Sequence, residues 1–158
     1  MKYSTISQDF FDKYSFDGDE LIHNKDQKRP YAIILRLKFK GEKYTFALPF
    51  RSHIKSYVDK DQYFKLPPNR TTLKGEIHGL HYLKMFPIQK KYMVKYRFED
   101  SKHTKAVLDI INRNEKHIVS SAQAYLYDYE ANGRSKYRFG VDIEGLIDRM
   151  KKEQETKT

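Results

Sequence analysis

Residues 32–40 read Ala-Ile-Ile-Leu-Arg-Leu-Lys-Phe-Lys, so that Leu35, Leu37 and Phe39 alternate with Arg36, Lys38 and Lys40. This is the period of a strand with one buried and one wet face. Lys40-Gly41-Glu42-Lys43 then predicts a two-residue turn with Gly41 at its first central position, where φ must be positive. Such a turn pairs Phe39 with Tyr44, Leu37 with Phe46 and Leu35 with Leu48 on the apolar face. It leaves Arg36, Lys38, Lys43, Thr45 and Ala47 on a basic face. If the second strand runs to its end, Arg51 shares the parity of Thr45 and Ala47 and projects from the basic side into a short loop over 49–55.

The pattern weakens over 57–69, where Pro67-Pro68-Asn69 acts as a breaker, and returns as one or two strands over 77–88, with Pro87 marking an edge or an end. Tyr92, Val94, Tyr96 and Phe98 alternate with Met93, Lys95 and Arg97 as a further strand. From Ser101 the spacing becomes helical. Val107, Ile110, Ile111, Ile118 and Ala122 follow a cap at Asp100 or Ser101, with Asn114 on or near the apolar face and a break expected near Ser120-Ser121. Asn132-Gly133 stops this run, a last helix fits 142–150, and the polar tail 151–158 is expected to be flexible.

One domain of 158 residues is the simplest organisation, with a core of ordinary size and no repeat. The formal net charge is +10, with 33% charged and 15% aromatic residues, a balance common in proteins that meet polyanions. The charge is uneven: residues 1–26 hold six acids and three bases, whereas residues 28–55 hold eight bases and one acid, Glu42. A polyanion-binding surface would therefore begin after Asp26. Zero cysteines exclude disulfides, thiol nucleophiles and thiolate metal sites. No apolar leader or membrane-length segment is present, which points to a soluble, non-secreted, cytoplasmic protein without a membrane partner.

The stretch Pro49-Phe50-Arg51-Ser52-His53-Ile54-Lys55 places a guanidinium, a hydroxyl, an imidazole and an ammonium together. RNA cleaves itself when its 2′-OH attacks the neighbouring phosphorus, so a protein needs to align the attack, move two protons and stabilise added negative charge. Arg51 can hold two phosphate oxygens in its fork, Lys55 adds a point charge, Ser52 can orient a phosphate oxygen or the 2′-OH, and His53 is a proton carrier. The plain alternative is a turn hydroxyl among surface charges. Lys28, Arg29, Lys38, Lys40 and Lys43 can track a phosphate backbone, and Tyr57 can stack on a splayed base. His78 and His81 with Glu76 make a poor metal set, as do Asp59 and Asp61 beside lysines, so neither a metal nor another cofactor is expected. A non-catalytic RNA- or DNA-binding module that uses the basic hairpin face is the rival from another class.

The chain also resembles the endoribonuclease toxins of type III toxin–antitoxin systems, the ToxN/AbiQ superfamily and its CptN/TenpN-like branch. The similarity is carried by Met1-Lys2-Tyr3-Ser4-Thr5-Ile6-Ser7, Arg29-Pro30-Tyr31, Leu48-Pro49-Phe50-Arg51-Ser52, Leu83-Lys84-Met85-Phe86-Pro87-Ile88 and Ile110-Ile111-Asn112-Arg113-Asn114 through His117-Ile118. The resemblance implies a compact α+β domain: a strongly twisted antiparallel sheet, similar to the Kid/MazF type, with flanking helices. It further implies sequence-selective, metal-independent cleavage of single-stranded messenger RNA, leaving 2′,3′-cyclic phosphate and 5′-hydroxyl ends. The implied partner is a small pseudoknotted RNA antitoxin, cut by the toxin from a tandem-repeat precursor and held in a cyclic protein–RNA assembly. The implied role is phage defence by abortive infection. Ser52 matches the family's loop serine and Lys55 nearly matches a basic residue after it. Arg51 replaces a hydroxyl, Arg29 or Lys28 stands near an active-site lysine, and Phe10 replaces a tyrosine.

Overall fold

The computed structural model describes residues 1–22, 31–95, 98 and 100–156. Seven strands and four helices follow in the order β1 (Lys2–Ile6), α1 (Gln8–Tyr14), β2 (Tyr31–Phe39), β3 (Glu42–Lys55), β4 (Tyr63–Leu66), β5 (Glu76–His81), β6 (Phe86–Pro87), β7 (Met93–Lys95), α2 (Lys102–Arg113), α3 (Glu115–Asn132) and α4 (Ile143–Thr156). All described pairings are antiparallel, in the order β4-β5-β3-β2-β1-β7, with β6 also on β3. The domain is α+β, as the sequence leads one to expect.

The central hairpin forms with the side-chain parity that the alternation predicts, although Ala47, expected on the basic face, is buried where β6 pairs with β3. Leu35, Leu37, Phe39, Phe46 and Leu48 are buried, while Arg36, Lys38 and Lys43 are exposed. The register differs by two residues: Leu37 pairs with Tyr44, Leu35 with Phe46 and Phe39 with Glu42. The turn is Lys40-Gly41, with φ 52° and 80°, so a lysine occupies the left-handed region beside the glycine. Two acids favour that placement. Glu130 accepts from the Lys40 backbone N–H at 2.6 Å and Glu144 pairs with its ammonium. A shift of two residues preserves side-chain parity, which is why the faces survive it.

The core joins both layers. On one side α3 sets Tyr129 against Phe39, with ring centroids 5.8 Å apart, and buries Ile118, Ala122 and Leu126. Elsewhere α1 brings Phe10 to within 5.3 Å of Phe86 and 5.7 Å of Tyr92. Burial of each such ring contributes about 1.5–3 kcal/mol. Ser101 caps α2 by accepting from the Thr104 N–H at 3.1 Å. The α2–α3 break falls at Asn114 rather than at Ser120-Ser121, because the Asn114 side chain donates to the Ile110 carbonyl at 2.7 Å and closes the first helix. Helix α4 continues to Thr156, held by Glu153 to Lys13 and Lys91 at 2.5 and 3.0 Å.

Candidate nucleic-acid site at the β3 bulge

Strand β3 outlasts β2. Pro49, which has no N–H to donate, is its last residue paired with β2, and from Phe50 onward it pairs with β5. The stretch expected as a loop is therefore strand, with one irregularity. Arg51 faces Gly79 and Ile54 faces Ile77, so Ser52 and His53 together oppose His78 alone. This two-against-one bulge turns the side-chain alternation over. Arg51 and Ile54 share the face of Gly79 and Ile77, and Ser52 and His53 address the other. The Ile54 Cδ1 lies 3.5 Å from the point where a Cβ on Gly79 would stand, in keeping with that shared face.

On the Ser52 face the groups are ordered by the segment after β4. Asn69 donates from Nδ2 to the Ser52 Oγ at 2.9 Å. His78 donates from Nδ1 to the Pro67 carbonyl at 2.7 Å, since a carbonyl can only accept. Burial, with His103 adding to it, holds the His78 imidazole below its ordinary range against the opposing pull of the Pro67 bond. A neutral ring with Nδ1 protonated carries its lone pair on Nε2. Farther along the strand the half-exposed His53 and Lys55 share the nearly buried Glu76 carboxylate, at 3.4 and 3.3 Å.

Phe50 forms an aromatic floor next to the bulge. Its centroid lies 6.4 Å from His78 in a stacked pair, 6.4 Å from Tyr3, 6.1 Å from Tyr31 and 6.3 Å from Phe98. Tyr31 keeps 40% of its surface exposed, so part of this cluster can meet a planar ligand.

Arg51 lies apart from the residues expected to act with it. Among the described residues it has no hydrogen-bond or ion-pair partner, and burial lowers its pKa. It stands within electrostatic reach of His81, whose ring nitrogens are both buried without partners among the described residues and whose pKa is pushed down to about 3, by burial first and then by Arg51 and Lys84. Lys84 donates to the Glu20 and Phe139 carbonyls at 3.2 and 2.7 Å.

The other expected contacts divide. Lys38 and Lys43 face each other across the hairpin and are exposed. Lys40 is engaged with Glu144. Tyr57 is 81% exposed beyond the end of β3, and Lys28 and Arg29 lie outside the described residues. His78 and His81, three apart on β5, point to opposite faces and cannot share a metal ion. Among the described residues no group of three or more His, Asp or Glu side chains could hold one. The sequence pattern does not single out Asn69, His78 or Glu76 as members of this site. A Pro-Pro-Asn breaker was the only sign of the first, and its contact with Ser52 spans 17 residues.

With this geometry in place, the fold is that of the type III toxin–antitoxin endoribonucleases, the class with which the sequence shows its resemblance. AbiQ, a lactococcal anti-phage endoribonuclease of a type III system, superposes with a TM-score of 0.69 at 9% identity, covering 98% of each chain. A chain from a bacterial antiviral system regulated by a processed non-coding RNA gives 0.70 at 20% identity, covering 94% of this chain and 96% of that one. A third, from a bacterial type III system whose toxin is selectively inhibited by a non-coding RNA pseudoknot, gives 0.57 at 16% identity over 98% of both chains. No protein-family model matches the sequence, and no curated protein matches it. Among the described residues no helix is long and apolar enough to cross a membrane.

Proposed function

We propose that this protein is the endoribonuclease toxin of a type III toxin–antitoxin system, cleaving single-stranded RNA without a metal and restrained by a small pseudoknotted RNA. The reading extends to 2′,3′-cyclic phosphate and 5′-hydroxyl products and to a role in phage defence. The observation that carries it is the β3 bulge, which sets a hydroxyl, two imidazoles and a lysine around one turn of strand, in a fold shared with an anti-phage endoribonuclease. Fold likeness alone would not carry function.

In this reading Ser52 holds a non-bridging oxygen of the scissile phosphate. His78, neutral with its Nε2 lone pair available, accepts the 2′-OH proton, and His53, facing Glu76, returns one to the leaving 5′-oxygen. Lys55 supplies positive charge to the pentavalent transition state on this face. Arg51, on the opposite face, takes no part in this step, and Lys38 and Lys43, which share its parity, offer charge to a phosphate backbone on that face. The test is cleavage of an in vitro transcribed messenger RNA in EDTA by wild type and Ser52→Ala. Cleavage by the wild type alone is expected. A fully active Ser52→Ala would remove Ser52 from the site, and loss of wild-type cleavage in EDTA would refute the metal-free mechanism.

A further inference from the structure

The amide of Asn69 has only one orientation that satisfies its neighbours. One of its terminal atoms lies 3.0 Å from the Thr71 backbone N–H and 3.0 Å from that of Thr72, and within 2.9 and 2.8 Å of their hydroxyls. Backbone N–H groups only donate, so that atom is the oxygen. The NH₂ is thereby turned toward Ser52, whose Oγ lies 2.9 Å from it. An amide N–H cannot accept, so the Ser52 oxygen must accept and its own hydrogen must point elsewhere. Among the described residues Ser52 has no acceptor for it.

We propose that Asn69 is a positioning residue that commits the Ser52 hydroxyl to donate to an anionic oxygen of a bound phosphodiester. The inference rests on the reading of Ser52 as part of an RNA-cleaving site and assigns the direction of its hydrogen bond. Asn69 engages one of the two lone pairs on the Ser52 oxygen, and a hydroxyl that accepts one hydrogen bond becomes a stronger donor in the next. The mounting is rigid. Asn69 follows Pro67-Pro68, the Pro67 carbonyl is held by His78, and the Asn69 N–H donates to the Thr72 hydroxyl at 3.1 Å. A turn residue needs only its oxygen for that loop. The NH₂ group is left over for Ser52.

Asn69→Asp separates the two roles, because the carboxylate keeps an oxygen for Thr71 and Thr72 and replaces the NH₂ with an acceptor that draws the Ser52 hydrogen back. The full-length protein is assayed on an in vitro transcribed single-stranded messenger RNA, with both binding and cleavage measured. The variants are Ser52→Ala, Asn69→Asp, Asn69→Ala and the Ser52→Ala/Asn69→Asp pair, each checked for an unchanged melting curve. The expected result is a fall in kcat of about 10- to 100-fold in Asn69→Asp and Asn69→Ala, the scale of a hydrogen bond to a charged oxygen. KM should change by less than about threefold, and Asn69→Asp should add nothing in the Ser52→Ala background. If wild type cleaves, Ser52→Ala does not, and Asn69→Asp is as fast as wild type, the positioning role is overturned while the ribonuclease reading stands. If wild type binds RNA but never cleaves it, the ribonuclease reading falls. Equal weakening of binding in Ser52→Ala and Asn69→Asp would then uphold the positioning role. Absence of both binding and cleavage overturns both.

Discussion

Gly79 is the residue on which the geometry of the bulge is most exposed to a single atom. It sits in β5 opposite Arg51 on one side and Lys65 on the other. A Cβ there would lie 2.5 Å from the Phe64 carbonyl oxygen and 3.3 Å from its carbon, where contacts below 3.0 Å are essentially never found. The obstacle is main chain, so Gly79→Ala must move β4 by at least half an ångström against four paired positions, from Tyr63 with His81 to Leu66 with His78. Overpacking of this kind costs about 1–3 kcal/mol. The opposing gain, a less flexible unfolded chain, is about 0.4–1 kcal/mol. The difference spans about 0–2.6 kcal/mol, so the clash wins over nearly all of it with a central net loss of about 1–2 kcal/mol, and for a chain of this size each kcal/mol lowers Tm by about 2–4 °C. Thermal unfolding followed by circular dichroism should therefore show Gly79→Ala melting about 2–8 °C below wild type. Because β4 leads into Pro67-Pro68-Asn69, RNA cleavage should fall as well. A variant that melts at or above wild type would refute the reasoning.

His81 resists protonation down to about pH 3 in the folded state, whereas in the unfolded chain it takes up a proton near its ordinary value. Between these values the unfolded state binds more protons, so stability falls as pH falls, by up to about 1.4 kcal/mol per pH unit from this group. Urea unfolding at pH 7, 5.5 and 4.5 should show that slope flattened in His81→Phe, and an unchanged slope would clear His81 of the effect. In RNA binding titrated against salt, Lys38→Glu and Lys43→Glu should each weaken affinity and reduce the slope of log K on log salt by about 0.7. Lys40→Ala, whose ammonium is already engaged by Glu144, should change that slope less. Equal effects at all three positions would contradict the assignment.

The two faces of the hairpin were legible in the sequence because alternation depends on parity alone. Its register was not, because the turn places Lys40 at positive φ, a preference set by Glu130 and Glu144 from distant helices. The helical face of Val107, Ile111, Ile118 and Ala122 was legible for the same reason as the strands. Neither β1 nor α1 is legible in the pattern: Ser4 and Thr5 are polar yet buried, which breaks the two-residue period. At the candidate site, Arg51, Ser52, His53 and Lys55 stood out by chemistry, and the bulge decided which of them share a face. Asn69 and His78 act through contacts between segments far apart in sequence, where no local pattern exists to be read.

One contact on the opposite side of the sheet bears on how the molecule avoids others of its kind. Strand β1 pairs with β2 only from Tyr31 to Ile34, so the outer edge of β2 beyond that point would be an open row of amide and carbonyl groups. Gln123 of α3 closes it. Its side chain accepts from the Lys38 N–H at 2.9 Å and donates to the Lys38 carbonyl at 2.8 Å, satisfying both groups as a neighbouring strand would. Open edges recruit strands from other chains into aggregates. At Lys38 a glutamine on a helix thus takes the place that a neighbouring strand would occupy.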